Sequence, residues 1–242
     1  MEVPDLSSAT TTPPPVRWGL GDFAIGLLAA YVATIVFQPL VLAVTGQSDV
    51  SDSADWPLGT IALLQVPFYG AMVGTAVWAT SRKGRGPVTD LGVRARWVDI
   101  PLGIVVGIVV QLSIVLLYVP LFWWTDIDRN DIDKPARELS DKAHGAGVLL
   151  LILIVVIAAP IVEEIFFRGL LLRALERRVG TPLAVVLSAA VFGATHFQAL
   201  QFPALFVFGL VAGALFVRTG RLGPGIVAHL AFNATAVYAL LM

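Results

Sequence analysis

The chain has 242 residues, 57% of them hydrophobic and 14% charged, and its mean hydropathy of +0.83 excludes a soluble domain that must keep a wet surface. A formal net charge of −1 carries no electrostatic footprint for nucleic acid, which excludes that partner. The lack of cysteine excludes disulfides, thiolate metal sites and a cysteine nucleophile.

In chain order, residues 1–17 include the stretch TTTPPP at 10–15 and read as a disordered, partly extended tail. Residues 18–242 read as one transmembrane domain, because a hydrocarbon core takes about 20 helical residues to cross and uncharged stretches of that length recur. They lie at 23–44, 58–80, 100–124, 145–162, 183–217 and 222–242. The first is too long for a signal-peptide core and is taken as a retained span. The fifth is too long for one helix and is split at its polar segment 198–203, giving 183–197 and 203–217. The fourth is expected to continue helically through Arg178, where GLLLRALERR keeps an apolar face up to Gly180. The fold class is therefore an all-α polytopic bundle of about seven spans around an intramembrane polar cavity.

Lys and Arg set the orientation, since cytoplasmic segments retain them. With the N-terminus inside, one side holds Arg17, Arg82, Lys83, Arg85, Arg94, Arg96, Arg173, Arg177, Arg178, Arg218 and Arg221, while the other holds Arg129, Lys134, Arg137 and Lys142 beside nine acids. N-in, C-out follows. Residues 86–97 read as an interfacial segment with Trp97 at headgroup depth. Gly103 with Gly107, and Gly209 with Gly213, have the spacing that lets membrane helices approach closely.

Ionisable groups inside spans carry the functional signal, because each costs ~2.5 to 3.5 kcal/mol at a helix centre. Glu163, Glu164 and Arg168 lie on the fourth helix, His196 ends the fifth, and His229 with Asn233 sits in the seventh. Glu164 and Arg168, four apart with the acid first, are expected to pair. Glu163 projects about 100° away and is left without a local partner, which suits a general base. His229 and Asn233 share a face and form a plausible donor pair for an oxyanion. His196 shares a face with Phe192, and a carboxylate plus an imidazole that hold one water are the minimum for peptide hydrolysis. A structural charge network, ordinary interhelical hydrogen bonding and a proton-conducting transporter are the competing readings, though no inverted repeat supports transport. Depth leaves a tension: His229 lies about 10 Å along its helix from the basic end, and His196 about 22 Å from Thr181.

Three motifs, Glu163-Glu164-x-x-x-Arg168, Phe192-x-x-x-His196 and His229-x-x-x-Asn233, follow one another within the motif-bearing core 146–242, together with the stretches FRG, RTG and GPGIVAH. In them the chain resembles the CAAX protease and bacteriocin-processing (CPBP, or Abi) family of intramembrane endopeptidases; residues 1–145 carry no such motif. The resemblance implies cleavage of a peptide bond near the C-terminus of a membrane-associated, in some members prenylated, protein or peptide. Glu163 would activate water with help from His196, His229 and Asn233 would stabilise the oxyanion, and Arg168 and Phe192 would support the geometry; Glu164 remains open as the base. No cofactor is required on this reading. Two alternatives remain: a zinc-dependent version with Glu163, His196 and His229 as ligands, without the usual His-Glu-x-x-His pair, and a non-catalytic immunity or binding protein. Gly19-Leu20-Gly21-Asp22 superficially matches aspartyl intramembrane proteases, but Asp22 and Asp99 both stand at span mouths, where acids are tolerated.

Overall fold

The computed structural model describes residues 16–50 and 52–242. The tail expected over 1–17 lies, up to residue 15, outside the described residues. The remainder is helical, as a chain in lipid must be to satisfy its own backbone polar groups. In order, the helices are α1 (Leu20–Thr45), α2 (Leu58–Lys83), the single turn α3 (Pro87–Asp90), α4 (Asp99–Trp124), α5 (Arg129–Ser140), the long α6 (Ala146–Val179), α7 (Thr181–Ala194), α8 (Phe202–Thr219) and α9 (Gly223–Leu241). Among the described residues six of these, α1, α2, α4, α6, α8 and α9, are long and apolar enough to cross a membrane, and α7 is a shorter apolar helix. About seven spans is therefore the right count. The chain is an integral membrane protein.

The glycine pairs act where close approach was expected. A Cβ on Gly107 would run into the Ala228 carbonyl of α9, one on Gly103 would lie 2.5 Å from Val227, and one on Gly209 would lie 2.9 Å from Ala189 of α7. The backbones of α4 and α9, and of α7 and α8, thus lie in contact. Exposed apolar side chains such as Ile25, Ile35 and Leu116 form the lipid-facing belt, while Phe166, Phe192, Phe208 and Phe216 are fully buried in the centre.

The helix α6 continues to Val179 as expected, but it is not one regular α-helix. Two π-helical stretches, Ile152–Ala158 and Glu164–Leu172, flank the α-helical turn Ala159–Glu163. Pro160 explains the first: it has no N–H and its ring crowds the preceding turn, which widens. In that wider register Ala159 N–H reaches back to the Ile154 carbonyl. The next carbonyl, on Val155, would need an N–H that Pro160 lacks.

The basic segments gather at one end. Lys83 pairs with Asp22 at 2.5 Å, Arg221 with Asp99 at 2.5 Å, and Arg177 donates to the Trp18 carbonyl at 2.7 Å. Asp22 also accepts the Gly19 N–H at 2.9 Å, so both acids at span mouths are structural anchors. Hydrogen bonds donated to the Asp99 carboxylate hold the Arg221 guanidinium above its usual pKa.

Two expectations change. The segment 86–97 is only partly interfacial: Trp97 is 88% exposed, but Leu91 is fully buried and would meet a Cβ on Gly169 at 3.1 Å. It dips into the bundle, and α9 starts from it, with Leu222 and Gly223 N–H bonded to the Gly92 and Arg94 carbonyls at 2.8 and 3.0 Å. The stretch after α4, read only as a charged outside segment, contains α5, an amphipathic helix capped by Asp128, which accepts from the Asn130 and Asp131 N–H groups. It carries Ile132, buried, on its inner face.

Candidate active site

Glu163 closes the α-helical turn of α6 and Glu164 opens the second π stretch, so the two carboxylates diverge at a change of helical register. Glu164 is fully buried. Its Oε1 lies 2.9 Å from Arg168 Nη1 and 3.0 Å from His229 Nδ1. The Arg168 contact is an ion pair off the hydrogen-bond axis, and Glu164 Oε2 has no hydrogen-bond partner among the described residues. That oxygen sits where a Cβ on Gly225 would be, at 2.9 Å, so the glycine makes the space for it. Arg168 is further held over the Phe192 ring, at 4.4 Å from its centroid.

Glu163 is 17% exposed at its side chain, with Oε2 at 3.7 Å from His229 Nε2. That is charge proximity without a hydrogen bond. Together with His196, His229 and Asn233 it lines a cavity of about 470 Å³ that runs under α5. The structure thus brings four of the five sequence-predicted catalytic groups to one space, and keeps the fifth, Glu164, with Arg168 and Phe192 behind its wall. The Phe192 ring stands edge-on to both histidines, 4.9 Å from His196 and 5.9 Å from His229.

The hydrogen bonds fix which nitrogen does what. His196 Nδ1 is 2.8 Å from the Phe192 carbonyl, which can only accept, so Nδ1 carries the proton and Nε2 of the neutral ring keeps a lone pair. His229 Nδ1 likewise donates to the Glu164 carboxylate, so its Nε2 can donate only when the ring is an imidazolium. Asn233 Nδ2 donates at 2.8 Å to the Val155 carbonyl, the one Pro160 leaves without an N–H. One of its two amide hydrogens is thereby used to tie α9 to α6.

The depth tension is resolved by the dipping segment. Arg173 donates to the Gly220 carbonyl at 3.4 Å, and the six residues from there to Val179 span about 9 Å of helix. The helix α9 therefore starts about that far inside the end of α6, which places His229 about 18 Å deep. His196 occupies a turn past the end of α7, pinned by the Tyr118 hydroxyl on the Leu200 carbonyl at 2.6 Å and by Gln201 on the Ile132 carbonyl at 2.9 Å.

Sequence reasoning missed Tyr69 and Gln111, which also line the cavity; Gln111 Oε1 is buried with no partner among the described residues. An uncharged amide within a 26-residue apolar helix was the available signal. As for zinc, among the described residues no three His, Asp or Glu side chains form a set able to share one ion. The Glu164 contact uses only Nδ1 of His229, and its Nε2 faces Glu163 in the cavity at 3.7 Å.

The profile of the family described as Type II CAAX prenyl endopeptidase Rce1-like matches residues 145–235. Among curated proteins, the chain is 32% identical over 91 residues to "Putative membrane peptidase YdiL" of Bacillus subtilis (strain 168). That match covers 38% of this chain and 37% of the relative's own length. No solved structure matches the chain. Residues 145–235 hold all three motifs and every polar group that the cavity gathers from α6 to α9, so the likeness to the type II CAAX prenyl endopeptidases covers the whole candidate site, and the chain spans little more than a third of the length of the curated relative it matches.

Proposed function

We propose that the chain is an intramembrane endopeptidase that cleaves a membrane-associated protein or peptide with a glutamate-activated water. The observation that carries this reading is one shared cavity, lined by Glu163, His196, His229 and Asn233, inside a membrane-spanning bundle. Water sits between the Glu163 carboxylate and the His196 Nε2 lone pair. Glu163 takes its proton as the hydroxide forms a bond to the substrate carbonyl carbon. The oxyanion receives the Nε2–H of a His229 imidazolium, whose charge Glu164 balances from behind, and the second amide hydrogen of Asn233. Collapse breaks the C–N bond, and the proton on Glu163 passes to the leaving amine.

The likeness of residues 145–235 to type II CAAX prenyl endopeptidases supports a substrate bond near a C-terminus and, as one form, a prenylated substrate. The gathering of arginines supports an N-in orientation, and the similarity to a Bacillus subtilis protein supports a bacterial plasma membrane. No metal enters this mechanism.

The test is Glu163→Gln, which keeps shape and removes the base. Purified wild-type protein in bilayers is expected to release product from a membrane-anchored quenched peptide, and the variant, equally folded by its thermal transition, to lose at least 10³-fold in kcat. Turnover retained by the variant would remove Glu163 from the role of base. Metal content measured on the same active preparation decides the zinc version, and a wild type that binds peptide without cleaving it would point to the non-catalytic one.

A further inference from the structure

The basic end holds a second polar cavity, of about 340 Å³, lined by Trp18, Arg85, Asp90, Arg173, Glu176 and Arg177. Three guanidinium groups face it from two parts of the chain: Arg85 from the turn between α2 and α3, and Arg173 and Arg177 four apart on α6.

Of the three, Arg85 is paired with Asp90 at 3.1 Å, while Arg173 and Arg177 have no such partner among the described residues. Asp90 is already engaged three times: it accepts the Trp18 indole N–H at 2.9 Å, the Arg85 backbone N–H at 2.7 Å and Arg85 Nε at 3.1 Å. Glu176 accepts the Thr181 hydroxyl at 3.2 Å. Among the described residues, neither Arg173 nor Arg177 forms an ion pair with a carboxylate. They are oriented instead by aromatic faces and carbonyls. Arg177 stacks 4.0 Å from the Trp18 ring centroid, and Arg173 lies 4.8 Å from that of Phe216. The buried Arg173 Nε has no hydrogen-bond partner among the described residues.

Stacked, pre-oriented guanidinium groups that no carboxylate pairs suit the oxygens of a phosphate. Their place is the arginine-rich end of the bundle, where lipid headgroup phosphates lie within reach of basic pockets between membrane helices. We propose that this cavity binds a phosphate group carried by an anionic lipid headgroup, with Arg173 and Arg177 as its principal ligands.

The full-length protein in detergent micelles tests this through the Tm of thermal unfolding, titrated in parallel with phosphatidylglycerol, phosphatidylcholine and inorganic phosphate. Phosphatidylglycerol is expected to raise Tm saturably and the other two to leave it flat. Arg173→Gln is expected to weaken phosphatidylglycerol at least tenfold. Glu176→Gln removes a negative charge while keeping an acceptor for Thr181, and is expected to tighten it several-fold, so the prediction stands even if the arginine variant folds poorly. Saturation by inorganic phosphate with the same dependence on the two residues supports the phosphate site and assigns it to the free ion. No preference for phosphatidylglycerol over phosphatidylcholine, or the same affinity in both variants, overturns it. The readout is binding, so it does not depend on peptide cleavage.

Discussion

At Glu164 a fully buried carboxylate meets Arg168 on one side and the His229 ring on the other, which gives the residue two separable duties. Removing its charge strands a buried guanidinium, so Glu164→Gln is expected to cost about 3 to 5 kcal/mol of stability. It also removes the counter-charge of the His229 imidazolium, and kcat is expected to fall by roughly 10² to 10³. Adding Arg168→Met to Glu164→Gln separates the two: thermal unfolding should recover most of the lost stability while turnover stays low. Recovery of both would reduce Glu164 to a packing partner of Arg168. The Glu164–Arg168 pair was legible in the sequence because i,i+4 spacing is a local rule. The His229 contact was not, since it depends on how α9 is set against α6. Gln111 escaped because, unlike Asn233 beside His229, it has no ionisable residue four positions away on its helix.

Pro160 acts on a whole helix. By denying the Val155 carbonyl an N–H it creates the acceptor that Asn233 fills, so a single missing hydrogen couples the first motif helix to the last. The sequence showed the proline and the asparagine but nothing that joined them, because helical periodicity assumes one register throughout. The tight α4–α9 contact was legible from Gly103 and Gly107 alone. Gly107→Leu is expected to force those helices apart, destabilising the fold by about 1 to 3 kcal/mol. It should also abolish activity by shifting His229 and Asn233 together; full activity in a destabilised protein would show that the site tolerates the displacement. The helix α5 could have been recognised from Asp128 as a cap and from Ile132 and Leu139 on one face, had the segment been read for period as well as for charge.

At the level of the molecule, the arginine asymmetry already grouped the helix ends that the structure brings together at Lys83–Asp22 and Arg221–Asp99. What it left open was depth, because an interfacial segment and one that dips into the bundle have the same composition. The natural absence of cysteine makes orientation directly measurable. Single cysteines at Arg82 and Asp126 are expected to react with a membrane-impermeant maleimide from the cytoplasmic and the external face of cells, respectively, and the opposite pattern would invert the assignment.

The helix α7 has 14 residues, about 21 Å of rise against a hydrocarbon core of about 30 Å. Its wall of the bundle therefore ends well short of the membrane surface. The turn beyond it carries His196, Gln198 and Gln201, with the Phe197 ring 81% exposed at the rim. A bilayer of ordinary thickness must thin there or admit water, and hydrolysis consumes one water per turnover. Membrane thickness thus becomes a control on the supply of a reactant: in a series of phosphatidylcholine bilayers of rising acyl length, turnover is expected to fall while the fold stays intact.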